Sequence, residues 1–165
     1  AERREYRLNQ WLLGRYHVPG NSIICTNDDL ARWIREDFPD YRIDGSVIKN
    51  ITSHRKIETA MALYDSVVLP MPVNEDLEFL AEIKNKDKIT LFANAGCAYT
   101  WPTKICYPSI SKANKTGDRS LFRCSQKLKE RNTIGMYAFD LDSLQSRGFE
   151  RFKLLRPRRG GQTGY

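Results

Sequence analysis

Four cysteines, Cys25, Cys97, Cys106 and Cys124, are the side chains of this sequence with the widest chemical reach. Eight residues separate Cys97 from Cys106, and seventeen separate Cys106 from Cys124. Thiolates gathered on one loop-rich end hold zinc or an iron–sulfur cluster, and a closed site of either kind takes four protein ligands. Cys25 is the candidate fourth ligand, because it ends a predicted parallel strand and the carboxyl ends of such strands share one face of the sheet. The spacing is not C-x-x-C, so four buried, unreactive thiols stand as the plain alternative.

Arg156, Arg158 and Arg159 follow a predicted final strand and precede Gly160-Gly161. Guanidinium groups pair bidentately with carboxylate or phosphate, and glycine admits close backbone approach, so 156–165 reads as an anion clamp or as a basic Gly-rich tail. His54-Arg55-Lys56 is a smaller basic spot. A third set lies at predicted strand ends: Asn27, Asp28 and Asp29; Asn74, Glu75 and Asp76; Asp140 and Asp142. On an α/β scaffold these are ligand positions, and helix capping explains each equally well. His17 and His54 are the only histidines, which gives a Ser-His-Asp or Cys-His site little to build on.

The elements that must position these residues follow a repeated pattern. Residues 1–16 make an amphipathic helix around Tyr6, Leu8, Trp11, Leu12 and Leu13, stopped by Gly14 and Pro19-Gly20. Ser22-Ile23-Ile24-Cys25 is a short apolar strand, followed by a capped helix through Leu30, Trp33 and Ile34. The same order returns with a strand over 41–48 and a helix over 53–63, a strand over 66–69 and a helix after Asp76, and a strand over 89–92. Residues 136–139 and 151–155 add two more strands, with a short helix between them. Apolar strands separated by helices predict an α/β fold with a parallel sheet buried on both faces. No G-x-G-x-x-G or Walker loop is present, which weakens dinucleotide-binding and nucleotide-hydrolase readings. The cadence breaks over 93–118, a cysteine-containing connection rich in aromatics that is long enough to be functional.

The chain has 165 residues, 41% hydrophobic and 28% charged, the balance of one ordinary domain of 1–165. A domain of this size folds without disulfide or metal support, so any metal serves function. Lys and Arg number 27 against 20 acids, a net charge of +7 that favours polyanionic partners such as RNA or phosphorylated ligands. No apolar run reaches the roughly 18–20 residues of a membrane span and the start is charged rather than signal-like, so a cytoplasmic protein with no membrane partner is expected.

The run from Ser22 to Leu155 resembles the collagenase-like family, number thirty-two among peptidases of unknown catalytic type. The likeness is carried by the strand ending Leu91-Phe92-Ala93-Asn94-Ala95-Gly96-Cys97, by the Pro-rich cysteine loop after it, and by the closing stretch from Asp142 to Leu154. The resemblance implies a TIM-barrel-like fold, and either peptidase activity or oxygen-independent hydroxylation of ubiquinone precursors or RNA bases. Several hydroxylation members hold a four-iron cluster through four cysteines. Cys97, Cys106 and Cys124 match the clustered part of that pattern, and Cys25 would have to complete it. The family's final strand leads into an acidic Glu-Gly-Arg sequence, whereas Leu154-Leu155-Arg156-Pro157-Arg158 is basic.

Three functions follow as expectations. The first is an iron–sulfur oxidoreductase component using Cys25, Cys97, Cys106 and Cys124, with a four-iron four-sulfur cluster preferred to zinc, and Arg156, Arg158 and Arg159 on an anionic or RNA substrate. The second is a peptidase-like hydrolase, for which the sequence offers neither H-E-x-x-H nor a nucleophile–base pair. The third is a non-catalytic RNA-binding module in which Tyr99, Trp101 and Tyr107 stack bases. About six strands are visible where a closed barrel has eight in roughly 250 residues. The expectation is therefore a partial or truncated barrel, a fragment of a longer one, whose exposed sheet edges promote homo-oligomerisation.

Overall fold

A computed structural model describes residues 3–95, 106–123 and 137–155. Two compact units divide them, one taking the residues of 1–91 and 142–152 and the other those of 92–141 and 153–165. The first holds most of a five-stranded sheet in the order β1-β2-β3-β4-β7, formed by β1 (Ser22–Cys25), β2 (Arg42–Gly45), β3 (Ser66–Val68), β4 (Ile89–Phe92) and β7 (Arg151–Lys153). The β1–β2, β2–β3 and β3–β4 pairs are parallel, with Ile24 opposite Asp44, Asp44 opposite Ser66, and Val68 opposite Thr90. The helices α1 (Arg3–Arg15), α2 (Asp28–Asp37), α3 (His54–Met61), α4 (Leu77–Ala81) and α6 (Leu141–Ser146) alternate with these strands. The α/β class with parallel βα repeats is thus present.

Local chemistry sets the boundaries. Asn27 accepts a hydrogen bond from the Leu30 N–H at 2.9 Å and starts α2, with Asp28 and Asp29 in the first turn. Ser53 starts α3 by accepting from Lys56 N, and Asp76 starts α4 by accepting from Phe79 N at 3.1 Å. Asn74 and Glu75, expected beside Asp76 as cap or ligand, belong instead to the 3-10 turn Met71–Glu75. β2 is shorter than expected because Ser46 already caps the turn Val47–Lys49, which Asn50 ends in the left-handed region at φ 51°. At the end of α6, Gly148 (φ 91°) donates to Gln145 O while Phe149 N donates to Leu144 O. This is the Schellman arrangement, and it buries Phe149 beside Leu144.

The core of this unit is built from Ile34, Ile43, Val67, Leu69, Leu80, Ile89, Leu91 and Phe149, all fully buried. A sheet covered on both faces holds for β3 and β4 but not for β1 and β2. Ile24 is 56% exposed, and the positions of β2 on its face are Arg42 and Asp44, which are polar by sequence. Asp44 instead accepts a hydrogen bond from the Ser66 hydroxyl and lies 3.9 Å from Arg151.

In the second unit, Tyr137–Ala138 (β6) pairs antiparallel with Asn94–Ala95 (β5) rather than joining the parallel sheet. The Asn94 amide donates to Leu155 O at 3.0 Å and accepts from Leu155 N at 2.8 Å, so one side chain completes both bonds of a strand pair. The stretch 93–118 contains α5 (Cys106–Thr116), which ends at Gly117 with φ 73°.

Candidate functional site

A pocket of about 830 Å³ is lined by α2, α3 and the turns before and after α3. Its position follows from the strand ends: Asp28 comes just after β1, and Lys49 shortly after β2. In an open α/β sheet, carboxyl ends of strands are the usual place for a ligand. Arg32, Lys49, Arg55 and Lys56 line the pocket against one acid, Asp28. Ile51, Ala60, Ala62, Leu63 and Tyr64 supply an apolar wall.

Lys49 is held on three sides. Its ammonium is paired with Asp28, lies 3.4 Å from Thr26 O, and sits 4.9 Å from the centre of the Tyr64 ring. The side chain is 15% exposed, so this cation is fixed in place rather than free to follow solvent. Tyr64 donates its hydroxyl to Asp28 at 2.6 Å. Hydrogen bonds from Lys49 and then Tyr64 hold the Asp28 carboxyl below the usual range, while burial and the bond to Asp28 push the Tyr64 phenol up. Neither group exchanges a proton readily near neutrality, so the trio supplies fixed charge and shape rather than acid–base chemistry. Arg32 pairs with Asp29 at 2.9 Å, and Lys56 donates to Asn50 O at 3.3 Å. Among the described residues Arg55 and Lys56 make no ion pair, which leaves two cations at the start of α3 without an acid.

The Ser53 and Thr59 hydroxyls of the pocket are engaged by backbone. Ser53 caps α3, and Thr59 donates to Arg55 O at 2.9 Å. The histidines are occupied elsewhere: His17 accepts from Asp40 N at 3.1 Å between Phe38 and Tyr41, and His54 packs on Phe79 and lies 3.1 Å from Glu82. No nucleophile–base pair forms in the pocket among the described residues.

Of the residues singled out from the sequence, the structure brings Asp28, Arg55 and Lys56 into one site. Asn27 and Asp76 act as caps, and Asp29 and Asp142 stand in first helical turns. Arg32, Lys49 and Tyr64 are additions that no local pattern marked. Cys97, Cys124, Tyr99, Trp101, Arg156, Arg158 and Arg159 lie outside the described residues, and Cys106 and Tyr107 open α5.

Cys25 is 1% exposed, and burial pushes its thiol up to about 11, with Lys49 opposing and Asp44 adding to the rise. A cluster or zinc ligand must be a thiolate, and these surroundings stabilise the neutral thiol. Among the described residues no group of three or more His, Cys, Asp or Glu is placed to hold a metal. A Cys25→Ser variant is expected to lose about 1–2 kcal/mol in urea unfolding, because a hydroxyl replaces a thiol in an apolar site. Its iron content after anaerobic purification, set against that of the unaltered protein, tests the ligand role: iron lost with the substitution would show that Cys25 holds it, and equal iron content would show that it does not.

No helix among the described residues is long and apolar enough to cross a membrane. Set beside protein-family models, curated proteins and solved structures, the chain matches none of them.

Proposed function

We propose that this chain binds an anionic substrate in the pocket between α2 and α3, as part of a barrel-type α/β protein. The observation that supports this is the lining itself: four cations and one acid around an apolar wall, with Lys49 fixed and Arg55 and Lys56 unpaired by any acid among the described residues. Arg55 and Lys56 are exposed and keep their charge toward the pocket opening, where an anion can reach them, and the net charge of +7 favours the same class of ligand. Phosphorylated small molecules and RNA both belong to that class. Peptidase chemistry draws no support from the pocket, where Ser53 and Thr59 are bonded to backbone and Tyr64 to Asp28.

Titration with tripolyphosphate and with a single-stranded RNA oligonucleotide tests the reading. Affinity for at least one probe should fall steeply between about 50 and about 200 mM salt, and an Arg55→Ala/Lys56→Ala double variant should flatten that dependence by a slope of about 1–2. Binding that ignores both salt and the double variant would overturn it.

A further inference from the structure

We propose that the outward face of α1 docks onto an anionic membrane surface, with Leu8, Trp11 and Leu12 entering the headgroup layer and the arginines around them meeting the lipid charge. This surface is separate from the pocket between α2 and α3 and stands independently of it. α1 is fastened along one side. Tyr6, its one buried residue, donates its hydroxyl to Asp37 at 2.6 Å and lies 3.1 Å from Trp33 O, Gln10 donates to Asp37 at 2.7 Å, and Leu13 O accepts from the Tyr41 hydroxyl at 2.7 Å. Tyr6, Gln10 and Leu13 recur at helical spacing and define the inward face. Of the apolar residues that make α1 amphipathic in sequence, Leu8, Trp11 and Leu12 fall on the opposite side. There Leu8 and Trp11 are each 66% exposed and Leu12 is 41% exposed.

Arginine frames that stripe. Arg4, Leu8, Trp11, Leu12 and Arg15 stand at i, i+4, i+7, i+8 and i+11, one continuous face about 17 Å long with a cation at each end. Arg7 borders the same face, and Arg3, Arg4, Arg7 and Leu8 line a pocket of about 350 Å³ at the start of the helix. Glu5 is the single acid of α1, and no described acid forms an ion pair with Arg4, Arg7 or Arg15. The combination selects the occupant. An apolar stripe centred on tryptophan and edged by arginine suits a helix lying in the plane of a lipid interface, where the indole sits among headgroups. Each cation held near an anionic leaflet adds about fivefold in affinity. A protein partner would have to supply a groove for this convex ridge, whereas headgroups rearrange around it. A second copy on the same face would bring two arginine-rich helices together, which like charge opposes. Contact of this kind needs no membrane-spanning helix.

Flotation of the whole chain with vesicles of phosphatidylcholine alone, and of phosphatidylcholine with about 30% phosphatidylserine, tests this. At about 100 mM salt the mixed vesicles should capture the protein about tenfold or more better than the neutral ones, and capture should weaken as salt rises. Arg4→Ala/Arg7→Ala should lose about tenfold or more. Lys84→Ala/Lys88→Ala, which removes the same charge from exposed positions elsewhere, should stay within about twofold. Leu8→Ser/Trp11→Ser/Leu12→Ser should lose about tenfold or more while keeping the far-ultraviolet circular dichroism of the folded chain, because all three side chains are exposed. Equal capture by the two vesicles, equal losses in the two charge variants, or capture indifferent to the serine variant would overturn the proposal. Capture by neither vesicle would also overturn it, and a dimer that the serine variant dissolves would then assign the face to a second copy.

Discussion

Replacing Gly45 by valine should cost about 3–5 kcal/mol of folding stability, the largest loss expected of any substitution considered for this chain. Gly45 ends β2, paired between Cys25 on β1 and Val67 on β3. A Cβ atom there would meet Val67 Cγ1 at 2.9 Å, Tyr64 Cγ at 3.4 Å and Ser66 O at 3.6 Å. Val67 is fully buried in a close-packed interior and its χ1 is stiff, while Ser66 O is backbone. The position thus needs glycine for space and not for a left-handed backbone. Alanine should already cost about 1–3 kcal/mol, and the two further methyl groups of valine would force β2 and β3 apart. Gly14→Ala is the control. Its added Cβ meets Phe38 at 3.6 Å, an ordinary contact, and it lies within α1, so about 0.5–1 kcal/mol of stabilisation is expected. Urea unfolding followed by far-ultraviolet circular dichroism measures both, and a Gly45→Val protein as stable as the unaltered one would show that β2 and β3 are not packed as described.

The dependence on Gly45 shows where local pattern stops informing. Ser22–Cys25 and Ile89–Phe92 form strands over the expected residues, and Asn27, Ser53 and Asp76 cap α2, α3 and α4. Each of these is decided within a few residues, by apolar runs or by a side chain bonding its own backbone. β2 was harder to bound because Val47 and Ile48 continue its apolar run, and only the cap at Ser46 turns the chain away. The strand near 136–139 pairs with Asn94–Ala95, more than forty residues earlier, and no periodicity records a partner at that distance. The pocket divides the same way. His54-Arg55-Lys56 stood out as three adjacent basic residues. Arg32, Lys49 and Tyr64 come singly from α2, from the turn after β2 and from the end of α3, and only the parallel pairing of β1 and β2 gathers them. The open face of β1 and β2 had a local sign that apolar counting underweighted, since Arg42 and Asp44 alternate with Ile43 and Gly45.

Asp65→Ala should be the second most costly change, about 2–3 kcal/mol at neutral pH. Asp65 joins β2 to β3 twice: its backbone N–H donates to Ile43 O at 2.8 Å, and its carboxylate accepts from Ile43 N at 2.7 Å. The same oxygen accepts from Arg35 at 2.8 Å, which ties α2 to this junction. The Asp65 side chain is 37% exposed, so the Arg35 ion pair is screened by water and contributes little by itself. The larger share lies with Ile43 N–H, which belongs to a fully buried residue and would lose its acceptor. Burial raises the Asp65 carboxyl, but the bonds from Ile43 N–H and Arg35 outweigh it and hold the group below the usual carboxylate range. A carboxyl lowered in the folded state stabilises fully above the unfolded value near 4, and that contribution fades as pH falls through the folded value. The gap between the unaltered protein and Asp65→Ala should therefore be widest above about pH 5 and narrow below about pH 3. Asp65→Asn, which keeps an acceptor for Ile43 N–H but no charge, should fall between the two at pH 7. Urea midpoints across that pH range decide the matter: a gap that does not narrow in acid would mean the carboxylate charge is not what holds the junction.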